Sequence, residues 1–446
     1  MDSKPQNGTA TSMECGSEAI KQHFCFDPKY KNLNHGSFGT YPKPVRAVLR
    51  SAQDECEARP DTYIRYTFGK NLDVSREAVS KIVHAPVEAC VFVPNATTGV
   101  NTVLRSLVYE PKDVIFYFDT IYGACEKTVI YLTETTHAEA RKVEYTYPLS
   151  DEALCDAFEK AISEVKAAGK NPKVAIFDSI VSMPGLRMPF EQLTKLCKKH
   201  GLLSLIDGAH CVGHISIDLQ EIDPDFFVSN LHKWLFVPRG CALLYVPVRN
   251  QHLIRSTLPT SHGFQPLPTE GAAIKNPLPP SRKNAFVTNF EFVGTIDNSP
   301  YMCVPAAIEF RKAFTWQGRS GEDAIIAFTE DQAKKAGQVV SGILGTEILD
   351  NEAKTLTKCN FANIRLPLDF EVDASGDGDK AIEIAQWLSS TLNNEYDTFI
   401  AILVYNNAWW ARLSAQVYLD MSDWEWAGHT LKEVCGRVQK GQALEI

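Results

Sequence analysis

The chain has no apolar run approaching the ~20 residues that span a bilayer, so no membrane-crossing helix is expected. Its 12 cysteines include no CxxC pair and no His partner at metal-ligand spacing. No metal site is therefore expected, and the cysteines read as reduced, buried thiols of a cytoplasmic protein. It has no long basic run, and 45 Lys and Arg against 54 Asp and Glu leave a net charge of −9. That balance argues against a nucleic-acid-binding surface. No internal repeat or low-complexity tract is visible. Residues 1–15 are polar and lack the apolar core of a signal peptide, so residues 1–20 are expected to form a disordered tail. The final Leu444-Glu445-Ile446 carries no retention or peroxisomal tripeptide.

What is present is an ordinary globular composition, 44% hydrophobic and 22% charged, over 446 residues. That length suits two large domains, or one large fold with an appendage. From about Arg46 to Val246, amphipathic stretches such as Asp151–Ala168 and Phe190–His200 alternate with short apolar runs. The runs are Val91–Pro94, Val114–Phe118, Val174–Asp178, Leu202–Asp207, Phe226–Ser229 and Ala242–Val246. Near-continuous apolar runs between helical patterns predict an α/β fold, its parallel or mostly parallel sheet buried on both faces. Ligands in such folds bind beyond the C-terminal strand ends. Asn95, Asp119, Asp178, Asp207 and Asn230 fall at those ends. The Pro-rich stretch Leu267–Arg282 reads as a long loop. After Pro300 a helix near Val304–Ala313 and strands near Asn360–Leu366 and Phe399–Val404 suggest a smaller α+β unit.

Asp207 closes one apolar run, and Lys233 follows the next, in Ser229-Asn230-Leu231-His232-Lys233-Trp234. An acid and a Lys in that order can hold pyridoxal phosphate. The amine forms a Schiff base with the aldehyde, and the carboxylate keeps the ring nitrogen protonated. Upstream, Asn95-Ala96-Thr97-Thr98-Gly99 follows a strand and opens a helix, where backbone N–H groups can cradle a phosphate. Each feature has a plain alternative. Asn95 can be a simple helix cap, Asp207 a turn residue and Lys233 a solvated surface side chain. All three plain readings would have to coincide.

The motifs together resemble the class V aminotransferase family of fold-type I pyridoxal-phosphate enzymes, in its isopenicillin N epimerase-like branch. Carrying the resemblance are Leu33–Gly39, Asn95–Gly99, Asp119–Ala124, Asp207–His210, Asn230–Gly240 and Phe292–Asp297. It implies a large cofactor-binding domain over residues 21–300, with an N-terminal segment reaching back over the site. A small α+β domain would cover residues 301–446. It also implies roles for single residues. Lys233 would bond the cofactor and shuttle the Cα proton, and Asp207 would pair with the ring nitrogen. His210 and Ser182 would face the ring oxygen. Ala96, Thr97, Asn230 and His232 would hold the phosphate. Thr295 would reach the phosphate of a neighbouring subunit in a homodimer with its active sites at the interface. Tyr122 would act as an acid beside the ring, and Arg412 would clamp the carboxylate of a small-molecule amino-acid substrate. The plain alternative for Arg412 is a surface ion pair.

Asn34, His35 and Ser37 are further candidates, His35 as a base or as a structural histidine. Arg59, Tyr63 and His262 are candidate pocket-wall residues, with Arg65 a possible substrate or interface contact. Tyr405, Trp409 and Trp410 line the pocket or pack at the small domain's edge.

Four reactions compete once a bond at Cα breaks: elimination, epimerisation, transamination and carbon–carbon bond formation. The segment Phe361–Arg412 contains no Cys, Cys359 sits in a strand-like apolar run, and Cys435 follows Arg412, which argues against persulfide chemistry. Tyr122 as an acid favours a departing group, hence a carbon–sulfur lyase acting by β-elimination on a cysteine-derived conjugate. The alternatives are an amino-acid epimerase, or a fungal secondary-metabolism enzyme closing an alkaloid ring by Mannich-type attack on an iminium. A non-catalytic binding module is disfavoured, because Lys233 and Asp207 are both present.

Overall fold

The structure, a computed structural model, describes residues 12–255, 258–260, 264, 282–369 and 378–444. The first strand, β1 (Met13–Glu14), pairs in parallel with a later one, Phe314–Trp316. The main sheet then takes seven strands: β2 (Cys90–Val93), β3 (Asp113–Phe118), β4 (Glu139–Val143), β5 (Asn171–Asp178), β6 (Leu203–Asp207), β7 (Phe226–Asn230) and β8 (Ala242–Tyr245). Their spatial order is β2-β8-β7-β6-β5-β3-β4, and β8 runs antiparallel to both its neighbours. The rest of the sheet is parallel.

Strand residues alternate between the two faces. On one side Phe116, Phe118, Phe177 and Phe227 join a core. On the other, Ile115, Ile176, Leu205 and Val228 join another. Each fully buried side chain of this size contributes roughly 1.5–3 kcal/mol. Both faces are covered, which is why these strands read as continuous apolar runs. The edge strand β4, Glu-Ala-Arg-Lys-Val, buries only Val143 fully and left no such run.

The remaining strands are β9 (Phe314–Trp316), β10 (Arg319–Ser320), β11 (Phe361–Arg365), β12 (Ala401–Tyr405) and β13 (Ala408–Ser414). The sheet β11-β13-β12 is antiparallel. The helices Gly321–Leu344 and Met421–Gln439 complete this unit, and Asp420 with Asp423 forms a capping box at the second helix's start. All seven residues of the central strand β13 are buried, Arg412 among them. No helix among the described residues is long and apolar enough to cross a membrane.

The expected tail is corrected in part. Residues 12–20 are ordered: β1 pairs with β9, and Ile20 is buried. Residues 1–11 lie outside the described residues, as does Leu267–Arg282 apart from Arg282. Cys15, Ile20, Phe24 and Leu33 pack in the same core as Phe310, Trp409 and Trp424. Tyr301–Ile308 packs instead with the large sheet. The segment from Cys15 to Leu33 thus packs beside the smaller sheet.

Candidate active site

Lys233 lies in the turn Leu231–Trp234, directly after β7. The segment Asn34–Gly39 lies across this turn. His35 Nε2 donates to the Lys233 carbonyl at 2.6 Å, and His35 Nδ1 accepts from Tyr418 Oη at 2.9 Å. Gly39 has φ +62°, and a Cβ there would stand 1.8 Å from the His232 carbonyl oxygen, so only glycine permits the approach. His35 is thereby corrected as a candidate base. Both its ring nitrogens are engaged, it is buried, and burial holds its pKa down to about 3.

Lys233 Nζ lies 3.0 Å from His210 Nε2. Burial and the nearby Arg412 lower its pKa to about 8, against the pull of Asp207 and Asp178. An amine held there is neutral, and so nucleophilic, far more often near neutral pH than an ordinary lysine, as covalent attachment to an aldehyde requires.

Asp207 ends β6 and is 3% exposed. Its Oδ1 accepts from the Ala209 N–H at 3.0 Å, and its Oδ2 from the Cys125 thiol at 3.3 Å. Asp178 ends β5 as its register partner and is equally buried. Burial raises both carboxyls, Asp207 further raising Asp178. Among the described residues neither has a cation within ion-pair distance. A buried acid without a cation suits a pyridinium N–H.

The other end of the site is built for an anion. The helix Ala96–Ser106 follows β2, and Asn95 caps it through the Thr98 N–H at 2.8 Å. Asn230 Oδ1 takes the Ala96 N–H at 2.8 Å and ties this helix to β7. The Thr97 N–H and hydroxyl remain as donors at the helix N-terminus. Close packing brings the helix in: a Cβ on Gly99 would lie 2.6 Å from Val228 Cγ1. His232 Nδ1 donates to the Cys241 carbonyl at 3.1 Å, which leaves Nε2 for a ligand.

Arg412 is 1% exposed, and burial lowers its pKa to about 10. One Nη2 hydrogen goes to Asn34 Oδ1 and the other to Ser37 Oγ, both at 2.9 Å, and Nη1 donates to the Ser182 carbonyl. The guanidinium stacks on Phe361 at 4.5 Å. Nε is buried without a partner, and among the described residues no carboxylate pairs with the group. A buried cation lacking its acid is a socket for a ligand carboxylate. The surface-ion-pair alternative is excluded by this burial.

Tyr122 caps the helix Gly123–Thr135 and is 50% exposed. Cys125, one turn on, touches Asp207, which sets Tyr122 at the rim of the site. Ser182 meets Arg412 through its carbonyl; no hydrogen bond of its hydroxyl is seen. Thr295 and Tyr63 share a separate cavity of about 600 Å³ with Phe68 and Asp297, apart from Lys233. Arg59 is exposed between two helices, and Arg65 pairs locally with Asp61. His262 lies outside the described residues. Trp409 and Trp410 are core residues, and Tyr405 Oη accepts from the Tyr147 N–H at 2.8 Å. Cys359 precedes β11 rather than lying in it, buried with Trp234 and Phe361, and burial pushes its thiol up to about 12.

Sequence reasoning assigned no role to Cys125, Trp234, Phe361 or Asn363, and placed Asp178 only among the polar residues at strand ends. Asn363 brackets Gly185, accepting its N–H at 3.0 Å and donating to its carbonyl at 2.8 Å. The one signal available was that Val174–Asp178 and Leu203–Asp207 both end in Asp.

Lys233, Asp207, the Thr97 donors and Arg412 offer an amine, an acid, an anion cradle and a carboxylate clamp, so the residues present fit pyridoxal phosphate and an amino acid. Comparisons with known proteins agree. The family model described as Aminotransferase class-V matches residues 62–367. The chain is 39% identical over 437 residues to the L-cysteine desulfhydrase-like protein lolT1 of Epichloe uncinata, covering 93% of this chain and 95% of that one. It is 29% identical over 418 residues to the hercynylcysteine sulfoxide lyase of Schizosaccharomyces pombe, covering 93% and 97%. Its fold matches a solved complex of the cystine C–S lyase C-DES with its product cysteine persulfide. That match has a TM-score of 0.71 and 16% identity, covering 94% of this chain and 99% of that one.

Proposed function

Because the chain belongs to the aminotransferase class-V family, in its isopenicillin N epimerase-like branch, and takes pyridoxal phosphate, we propose that it is a carbon–sulfur lyase. It would cleave an S-substituted cysteine by β-elimination. Pyridoxal phosphate, when bound, supplies an aldehyde that links to amines and a protonated ring that draws electrons from Cα. Asp207 holds the ring nitrogen; Thr97, Asn230 and His232 hold the phosphate. Arg412 receives the substrate carboxylate, helped by Asn34 and Ser37. Lys233 Nζ takes the Cα proton, and its lowered pKa suits that task near neutral pH. The Tyr122 hydroxyl, at the rim, protonates the departing sulfur. The Cβ–S bond breaks, sulfur leaves as a thiol, and the released enamine hydrolyses with one water to pyruvate and ammonium.

The observation that carries this reading is a complete amino-acid socket with no thiol poised to capture sulfur. Cys359 and Cys125, the second bound to Asp207, are both buried, and burial holds both thiols protonated. The similarity to a desulfhydrase-like protein and a sulfoxide lyase supports the same class.

We also infer a cytoplasmic homodimer. Nine of the 12 cysteines are buried, as suits the reduced thiols of a cytoplasmic protein. Phe38, Tyr122 and Met183, on segments bordering the site, are 71%, 50% and 43% exposed, and Ile296 beside Thr295 is 49% exposed. A second copy would cover them and bring Thr295 to its partner's phosphate.

The test is to incubate the enzyme with S-substituted cysteines and measure pyruvate, ammonium and thiol, with chiral analysis of recovered substrate. Equimolar release of the three products supports the lyase. Inverted substrate without pyruvate replaces it with an epimerase; a new carbon–carbon bond with an added iminium replaces it with a ring-closing enzyme.

A further inference from the structure

The hydrogen-bonding senses around Trp234 settle where a proton sits. The Trp234 indole Nε1–H, which can only donate, lies 3.3 Å from His210 Nδ1. His210 Nδ1 must therefore carry its lone pair. Burial holds His210 neutral, so its single ring hydrogen is on Nε2, 3.0 Å from Lys233 Nζ. Two further histidines pack on Trp234: His35 with ring centroids 5.4 Å apart, and His214 at 3.9 Å. Each is fixed by a partner of single sense. The Lys233 carbonyl can only accept, so His35 carries its hydrogen on Nε2. The Asn360 N–H can only donate, so His214 Nε2 is unprotonated, at 2.6 Å. All three rings are buried and pinned.

We propose that Trp234 is a positioning residue: by donating its indole N–H to His210 Nδ1, it holds the His210 hydrogen on Nε2 and turns a donor toward the Lys233 nitrogen. A donor at that place opposes an extra proton on Lys233. Without the indole N–H, His210 is free to take the other tautomer, losing its Nε2 proton and gaining one at Nδ1. It would then present a lone pair at Nε2, which favours a proton on Lys233. The charged and titratable groups facing this pair are Asp207 and Asp178 from the strand ends, Arg412 from β13, and His214 and His232. Trp234 touches none of their polar atoms through its indole N–H, so its loss acts through His210. This inference rests on the cofactor site and not on which bond at Cα or Cβ is cleaved.

The test compares the holoenzyme with Trp234→Phe and with Trp234 replaced by 3-benzothienylalanine, which keeps the bicyclic shape and lacks only the N–H. The pH midpoint of the visible band reports the proton on the Lys233 nitrogen. Both variants should raise it by about one pH unit, a tenfold change, the size of one neutral hydrogen bond. Only the Phe variant, which leaves a void, should lose Tm. Neutron diffraction of the wild-type full chain should place a deuteron on His210 Nε2. An unchanged midpoint in the benzothienylalanine variant, or a deuteron on Nδ1, overturns the proposal whatever reaction the enzyme catalyses.

Discussion

Arg412→Gln should leave the protein as stable as before and unable to hold its substrate. In the free protein Arg412 carries a buried charge with no acid beside it, its pKa lowered to about 10 from an ordinary value above 12. That depression costs the charged form of order 3 kcal/mol in the folded state. The sign follows from linkage. A basic group with a depressed folded pKa destabilises the fold at neutral pH, and the loss is recovered only as pH rises past about 10. Gln removes that cost and also three hydrogen bonds, to Asn34, Ser37 and Ser182, at roughly 1 kcal/mol each. The two effects offset, and Tm should move by no more than a few degrees. Binding has no such offset. Removing the cation that receives a buried carboxylate costs about 3–5 kcal/mol, or two to four powers of ten in kcat/KM. The assay compares an S-substituted cysteine with the corresponding amine lacking the carboxylate. Wild type should prefer the amino acid strongly, and the variant should discriminate little. A variant within fivefold of wild type, or one keeping its preference for the carboxylate, would refute the reasoning.

Lys233→Ala should lose the visible band and all pyruvate formation, read by absorption spectroscopy and product assay. Its cofactor-free form should gain Tm at pH 7, because the buried amine is gone. That gain should shrink as pH climbs from about 8 toward the amine's ordinary value, where wild-type Lys233 is neutral in both states. Asp178→Asn tests the paired acids. Carboxyls held above their ordinary range make the cofactor-free protein less stable as pH rises through the raised values. The variant should therefore raise Tm more at pH 8 than at pH 5, by thermal melts. Gly99→Ala pushes a methyl against Val228 and displaces the helix N-terminus. Overpacking of this kind costs about 1–3 kcal/mol, and cofactor affinity measured by titration should fall tenfold or more.

Much of the large sheet was legible because its strands are buried on both faces. Six of its seven strands stood out as apolar runs. The seventh, β4, lies at the sheet edge with polar residues facing water, and edge position is not written in composition. The helices Asp151–Ala167 and Phe190–His200 were legible from amphipathic spacing. The ordered segment after Ser12 was not, since its order comes from pairing with β9, about 300 residues away. At the site, Lys233 and Asp207 were legible because both sit at the ends of apolar runs. Cys125 and Trp234 were not. Their contribution is one hydrogen bond each, across 82 and 24 positions, and only the folded chain shows it. His35 looked like a base because a histidine near the site motifs carries that suggestion. Its two partners, one a backbone carbonyl, could be assigned only from geometry.

The most direct test of the account uses an S-substituted cysteine deuterated at Cα, given to the wild type and to Lys233→Ala. The account predicts pyruvate from the wild type at a rate slowed several-fold by the deuterium, and none from the variant. Pyruvate from the variant at the wild-type rate, or loss of deuterium from recovered substrate with no pyruvate, would contradict it.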